Sequence, residues 1–284
     1  MNRYAPAPYA EAIVRLALGV ELRDPVRGGR ALSGVRVTLD EHPAPLDAWR
    51  SWAPWEQLDD VLPKMQRHGS GRFAQLLGPS IRTPQHLRVT GPGRRYVPRR
   101  FAVTIATEDD VVTAEDDPAI PDIGPPARIF RPSVFPGAAY EVTGTHVRGR
   151  ITRAGQPVRW ARVQAVLAGT SAVAGWAHAD DRGEYILPIG NIADQVGFAA
   201  DPLPVELIAG FRQPVPVASA SDPLLVLVDP LWDLVEEAVS LPVADDPGGT
   251  VADGRLFPAG YATHVFGPVA LARGRPHVVD LDLP

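Results

Sequence analysis

The sequence predicts a mainly β protein built as two tandem β-sandwich domains, with a small helical insertion in the first and a short helix in the second. Three observations predict it. Apolar and polar residues alternate over short runs, the signature of half-buried strands. Clusters of Gly, Pro and Asp separate those runs, as tight turns require. Two segments far apart in the chain also repeat one order of elements.

The organising stretch is 140–190, YEVTGTHVRGRITRAGQPVRWARVQAVLAGTSAVAGWAHADDRGEYILPIG. Val147, Gly149 and Ile151 alternate before a Gly155-Gln156-Pro157 turn, and Val158, Trp160, Val163 and Ala165 resume the pattern. A second turn at 180–183 leads into Tyr185, Ile186 and Leu187. Earlier, VELRDPVRGGRALSGVRVTL followed by HGSGRFAQL has the same order: strand, glycine turn, strand, then a Gly-x-aromatic hairpin. Gly71 and Gly183 are expected at the positive-φ turn position, with Phe73 and Tyr185 pointing into their cores.

Read in order, residues 1–10 form an extended, Pro-punctuated arm, and 11–106 the first sandwich. The insertion 41–65 carries Trp49, Trp52 and Trp55; these pack as a helical cap or stand out as an aromatic knob for a neighbour, aromatic anchors being frequent in interfaces. Packing is favoured because exposed apolar patches are uncommon. Arg94, Arg95, Arg99 and Arg100 form a basic cluster just before the acidic runs 108–110 and 115–117. These are solvated surface charges or complementary patches that set subunit register. The stretch 107–139 is a Pro-rich, acidic linker, stiffened where Ile129, Phe130, Val134 and Phe135 pack across the junction. Residues 140–284 make the second sandwich. Strands are expected at 205–208 and 224–228. A helix follows, with Asp229 as N-cap, Pro230 at its first position, and Leu231, Leu234, Val235 and Ala238 on one face. Segments 269–271 and 278–283 close the chain as a hairpin.

Composition narrows the function. Hydrophobic residues are 45% and charged residues 21%, enough for a buried core. The net charge is −5 with Lys64 as the only lysine, so the excess of basic charge typical of a nucleic-acid binder is missing. Cysteine is absent, which excludes disulfides and thiolate chemistry and favours a cytosolic setting. No secretory or membrane-spanning segment is recognisable.

The chemistry-bearing residues form no catalytic pattern. His178, Asp180, Asp181 and Glu184 are the densest set of potential metal ligands, but aspartates in a hairpin turn serve backbone bonding without a metal. Asp245, Asp246 and Asp253 lack the alternation of a calcium loop. The remaining histidines are scattered, and no nucleophile elbow, phosphate loop or dinucleotide fingerprint occurs. The expectation is no enzyme, no metal and no cofactor.

The order strand, Gly-Gln-Pro turn, strand, Asp-Asp-Arg-Gly-Glu-Tyr hairpin, strand, Leu-Pro-Ile-Gly resembles the carboxypeptidase-regulatory-like (transthyretin-like) β-sandwich domain. Three stretches together resemble two-domain proteins associated with phage-tail-like contractile injection systems: PKMQRHGSGRFAQLLG (63–78), LRVTGPGRRYVPRRFAVTI (87–105), and 129–187 from IFRPSVFPGAAYEV to AHADDRGEYIL. The resemblance implies a structural, non-catalytic subunit at the cap or baseplate end of such a particle, bridging neighbouring subunits. Its partners would be sheath, tube, cap or baseplate proteins, with several copies in a symmetric ring, no nucleic acid and no direct membrane insertion. The expected location is cytoplasmic, within an assembled particle that can be released. The interface candidates are Trp49, Trp52, Trp55, Arg94, Arg95, Arg99 and Arg100. The alternative is a ligand-binding module, for carbohydrate or as a surface adhesin, with a groove drawn from Trp49, Trp52, Trp55, Trp160 and Trp176.

Overall fold

The computed structural model describes residues 15–39, 64–78, 81–117, 123–190, 201–214, 231–241 and 251–284. The first part of the chain supplies β1 (Leu16–Val20), β2 (Arg36–Leu39), β3 (Gln66–Arg67), β4 (Phe73–Leu76), β5 (Gln85–Thr90), β6 (Tyr96–Val97) and β7 (Arg99–Thr104). Helix α1 (Glu108–Asp116), β8 (Ile129–Phe130) and β9 (Phe135–Pro136) come next. The remainder supplies β10 (His146–Arg153), β11 (Gln156–Pro157), β12 (Arg162–Leu167), β13 (Val173–His178), β14 (Glu184–Pro188), β15 (Leu203–Arg212), β16 (Glu236–Ser240), β17 (Tyr261–Leu271), β18 (Pro276–Val278) and β19 (Leu281–Leu283). The protein is mainly β, as the alternation predicts.

One core lies between the sheets β3-β4-β1-β8 and β16-β7-β5-β2, filled by Leu18, Val20, Phe73, Leu87, Phe101 and Phe130. A second lies between β11-β10-β14, which β18 and β19 join through β10, and β13-β12-β15-β17. Val147, Ile151, Val163, Leu187, Leu207 and Leu281 fill it. Apolar residues spaced by two reach the same face of a strand, which is why alternation gives two packed sheets and not a bundle.

The pairings repeat along with the sequence. β1 pairs antiparallel with β4 and parallel with β8, while β10 pairs antiparallel with β14 and parallel with β18. In the facing sheets β2, β5 and β7 run side by side, as β12, β15 and β17 do. Gly71 (φ +81°) and Gly183 (φ +72°) hold the equivalent left-handed turn positions. Phe73 and Tyr185, each two residues on, are buried.

The halves differ at one edge, and there one expectation is corrected. The helix expected from Asp229 to about Ser240 does not form over its second half: Leu231 and Leu234 close a turn, and Glu236–Ser240 is strand β16. It adds in parallel to the edge of β7, so the second half of the chain completes the first sandwich. Tertiary pairing overrides local propensity here. The burial of Glu237 alternates with the exposure of Glu236 and Ala238, a period of two that the apolar residues alone do not reveal.

Two further corrections concern the junction and the C-terminus. The stretch 107–139 is built into the fold: β8 joins the first sandwich, β9 pairs with β6, and Phe130, Val134 and Phe135 are buried. The described helix in this stretch, α1, starts on a reciprocal capping box between Thr107 and Asp110. The last segments do not form a hairpin with β17. They cross to the other sheet, where β18 and β19 lie parallel to β10. There Leu281 and Leu283 enter the core, and the Val279 carbonyl accepts the Tyr185 hydroxyl at 2.8 Å. The Trp-rich part of the insertion, 1–10, and the strand expected at 224–228 lie outside the described residues.

Gly183 and Gly144 provide a graded test of turn chemistry. A Cβ at Gly183 would lie 2.5 Å from the Ile151 carbonyl oxygen, whereas at Gly144 (φ +81°) it meets nothing within 4 Å. Gly183→Ala is expected to cost roughly 2–3 kcal/mol and Gly144→Ala about 1 kcal/mol, read from urea unfolding midpoints. Equal costs would mean that the carbonyl contact is not part of the native turn.

Candidate functional site

The most heavily charged buried place in the described residues is where the two sandwiches meet. Arg99, on β7, has a side chain only 2% exposed. Its Nε and Nη2 donate to Glu237 Oε1 at 3.0 and 2.8 Å. Nη1 donates to the carbonyls of Ser133 (2.8 Å) and Ala252 (2.9 Å), and Nη2 also donates to that of Val251 (2.6 Å). The other Glu237 oxygen lies 2.9 Å from Arg162 Nη2 on β12, an ion pair without hydrogen-bond alignment. Glu237 therefore sits on a strand of one sandwich and ties it to a strand of the other.

Two guanidiniums share one carboxylate here, and carbonyl dipoles solvate the excess charge. The segment 251–256 turns four carbonyls inward: Val251 and Ala252 to Arg99, Leu256 to Arg162 (2.7 Å), and Gly254 to His178 (2.9 Å). Because a carbonyl can only accept, His178 carries its proton on Nε2. Its ring stacks on Phe135 with centroids 3.8 Å apart and planes 9° from parallel. Burial, then the nearby Arg162 and Arg99 charges, push the His178 pKa well below the usual histidine range, so the ring is neutral. Burial also pushes Arg99 down to about 10, with Glu237 opposing, so the guanidinium remains charged at neutral pH.

Two smaller polar clusters, at Asp233 and Arg94, fasten the same junction, and a third, at Asp24, lies in the first sandwich. Asp233 accepts from Arg159 Nε and Nη2 (both 2.8 Å) and from Trp160 Nε1 (2.7 Å). Asp24 accepts from the hydroxyls of Tyr96 (2.9 Å) and Tyr140 (2.8 Å) and from the backbone N–H groups of Val26 and Arg27. Burial and the Asp24 carboxylate hold both tyrosines above the usual phenol range. Arg94 reaches Asp180 and Asp181 in the β13–β14 turn, each at 3.2 Å.

The four arginines of the sequence cluster thus have different fates. Arg94 is exposed and bridges to the second half. Arg95 is half-buried, its guanidinium over the rings of Tyr96 and Tyr140. Arg99 is in the ion network, and Arg100 is buried on the opposite face of β7, flanked in register by Arg88 and Glu236. They do not make one exposed patch. Trp49, Trp52 and Trp55 lie outside the described residues. Of the other tryptophans proposed for a groove, Trp160 is buried against Val97 and Leu231, and Trp176 rests at 5.0 Å on Phe257.

Asp180, a candidate ligand in the sequence, accepts the N–H groups of Arg182 (2.8 Å) and Glu184 (3.0 Å), as turn chemistry expects. Among the described residues no three His, Asp or Glu side chains are grouped to hold a metal. No helix among them is long and apolar enough to cross a membrane. Sequence reasoning missed Glu237, Arg162 and Asp233. The usable signal was an arginine at a strand position that alternation assigns to the core, Arg99 with Phe101 and Val103.

No family model matches the chain, and no curated protein matches it. Two solved structures are similar over much of its length, both of the shaft pilin spaA from Lactobacillus rhamnosus GG. One is 10% identical with a TM-score of 0.21, covering 81% of this chain and 97% of the pilin. The other, a single-site mutant, is also 10% identical with a TM-score of 0.21, covering 96% and 100%. Superposition this poor carries no argument about fold or role.

The network makes two predictions. Glu237→Gln removes the carboxylate that two buried guanidiniums share and is expected to cost about 3–5 kcal/mol in chemical denaturation. Glu236→Gln, on the exposed side and paired with His86 at 2.8 Å, should stay within about 1 kcal/mol of the parent. For His178 the folded pKa lies below the unfolded value of about 6.5, so protons bind the unfolded chain better. Its contribution is complete above that pH and is lost as pH falls, by up to about 1.4 kcal/mol per pH unit. Denaturation of His178→Phe should be less stable at pH 7 and show a shallower decline below pH ~6.5 than the parent; parallel slopes would refute a neutral His178.

Proposed function

We propose that this chain is a structural, non-catalytic subunit of a phage-tail-like contractile injection particle, placed at its cap or baseplate end and working within the cytoplasm. In this reading it bridges neighbouring sheath, tube, cap or baseplate proteins by holding two sandwiches in a fixed relation. One observation carries the reading: the charged groups buried at the junction are taken up by other parts of the same chain. Arg99, Arg162, Glu237 and Asp233 lock one sandwich to the other. A junction of this kind transmits position and load, which is what a bridging subunit needs. The likeness of 63–78, 87–105 and 129–187 to proteins of contractile injection systems supplies the particle.

Co-expression with sheath and tube proteins, followed by affinity capture and negative-stain imaging, tests it. The expected outcome is retention of several copies at one end of the particle. Glu237→Gln should reduce occupancy in step with its loss of stability. Recovery of particles lacking the chain, with the tagged protein eluting alone, would refute the assignment.

A further inference from the structure

The second sandwich ends on one side in a long strand with an open edge. β17 has β15 on one side and, among the described residues, no strand on the other. An open edge offers a row of N–H and C=O groups to any extended chain, so edges are ordinarily short, charged or bulged. β3 and β8, at the edges of the first sandwich, have two residues each, and β16 carries two glutamates. β17 has eleven residues, Tyr261–Leu271, with no Asp, Glu, Lys or Arg among them. A bulge against β15 and Pro268 both come late in it and leave its first half, 261–266, in regular register.

The ladder fixes which backbone groups point outward. The Gln213 N–H donates to the Gly260 carbonyl at 3.0 Å, and bonded pairs in an antiparallel ladder recur at every second residue. Ala262, His264 and Phe266 therefore turn their backbone groups to β15, opposite Phe211, Ala209 and Leu207, while Thr263 and Val265 turn theirs outward. The side chains divide in the same way. Ala262 and Phe266 pack at the rim of the second core and are only partly buried, with the His264 ring edge-on to Phe266 at 4.8 Å. Thr263 and Val265 lie on the other face, and Val265 is 56% exposed.

We propose that a second copy of this chain fills the edge, β17 pairing antiparallel with its own counterpart about a twofold axis at His264. In that register Thr263 of one copy faces Val265 of the other, and each such pair exchanges both of its outward N–H···O bonds. Ala262 faces Phe266 and Tyr261 faces Gly267, so each large side chain meets a small one and the rim of each core is covered. His264 alone meets its like. Pro268, which has no N–H to give, falls opposite Gly260, beyond the end of the strand. This match of the strand to itself is what selects a second copy over an unrelated strand. The contact is isologous, so it closes at two copies and joins two four-stranded sheets into one. It does not depend on the particle reading, since it uses the second sandwich alone.

Sedimentation equilibrium of the full chain over a rising concentration series tests it. The parent should pass from monomer to dimer. Val265→Pro removes one outward N–H from each copy and spares the bonds to β15, so it should weaken dimerisation about tenfold. His264→Lys and His264→Glu each set like charges opposite one another across the axis and should each weaken it about tenfold or more, while circular dichroism stays that of the parent. An equimolar mixture of His264→Lys and His264→Glu should dimerise again, as mixed pairs, because opposite charges then face across the axis. A parent that stays monomeric, variants that dimerise as the parent does, or a mixture no tighter than either variant alone would overturn the contact. A monomeric parent retained on sheath–tube particles would overturn this contact alone, and a dimeric parent absent from them would overturn the particle reading alone.

Discussion

The structure depends on a carboxylate between two guanidiniums. Removing an ion from water costs several kcal/mol even after the protein relaxes, so a buried charge persists only where close partners replace the solvent. Glu237 meets that condition through Arg99 on one side and Arg162 on the other. The second positive charge is balanced by carbonyl dipoles from 251–256 and Ser133, which is why that segment takes an irregular path with its oxygens turned inward. Moving any one member exposes the others to an unpaired, dry environment. The network therefore specifies a single relation between β7, β12 and β16 more than it adds net stability.

The neighbouring clusters obey the same rule at lower cost. Asp24 under Tyr96 and Tyr140, Asp233 beside Arg159 and Trp160, and Arg94 on the 180–183 turn each join residues far apart in sequence. Each acceptor is met by several donors, and most of these donors are rigid: aromatic hydroxyls, an indole N–H and backbone amides. The contacts at Asp233 and Arg94 resist shear between the sandwiches because neither can be traded for a similar contact one residue along.

Much of the fold was legible in the chain, and the reason is periodicity. Strand alternation, the Gly71 and Gly183 turns, and the burial of Phe73 and Tyr185 follow from local chemistry that a single sequence carries. The duplicated order of strands could be read because the same turn grammar occurs twice. Nonlocal pairing was not legible. LWDLVEEAVS satisfies a helical face as well as a strand, and only Arg99 and Arg162, far earlier in the chain, explain why a glutamate is buried in it. The arginine cluster misled for the same reason: adjacent residues on a strand face opposite ways, so Arg99 and Arg100 could never share one surface. Segments 269–271 and 278–283 looked like a hairpin because sequence gives strands but not the sheet to which they belong.

The insertion of β16 beside β7 carries a consequence for biogenesis. A ribosome releases the chain from the N-terminus, so β1 to β9 emerge long before residue 240 and must wait with an open edge. The later sandwich, whose described strands all come from residues 146–284, closes without borrowing from the earlier one. The first sandwich is then completed only after β10 to β15 of the later one have been made, and its open edge needs shelter during that interval.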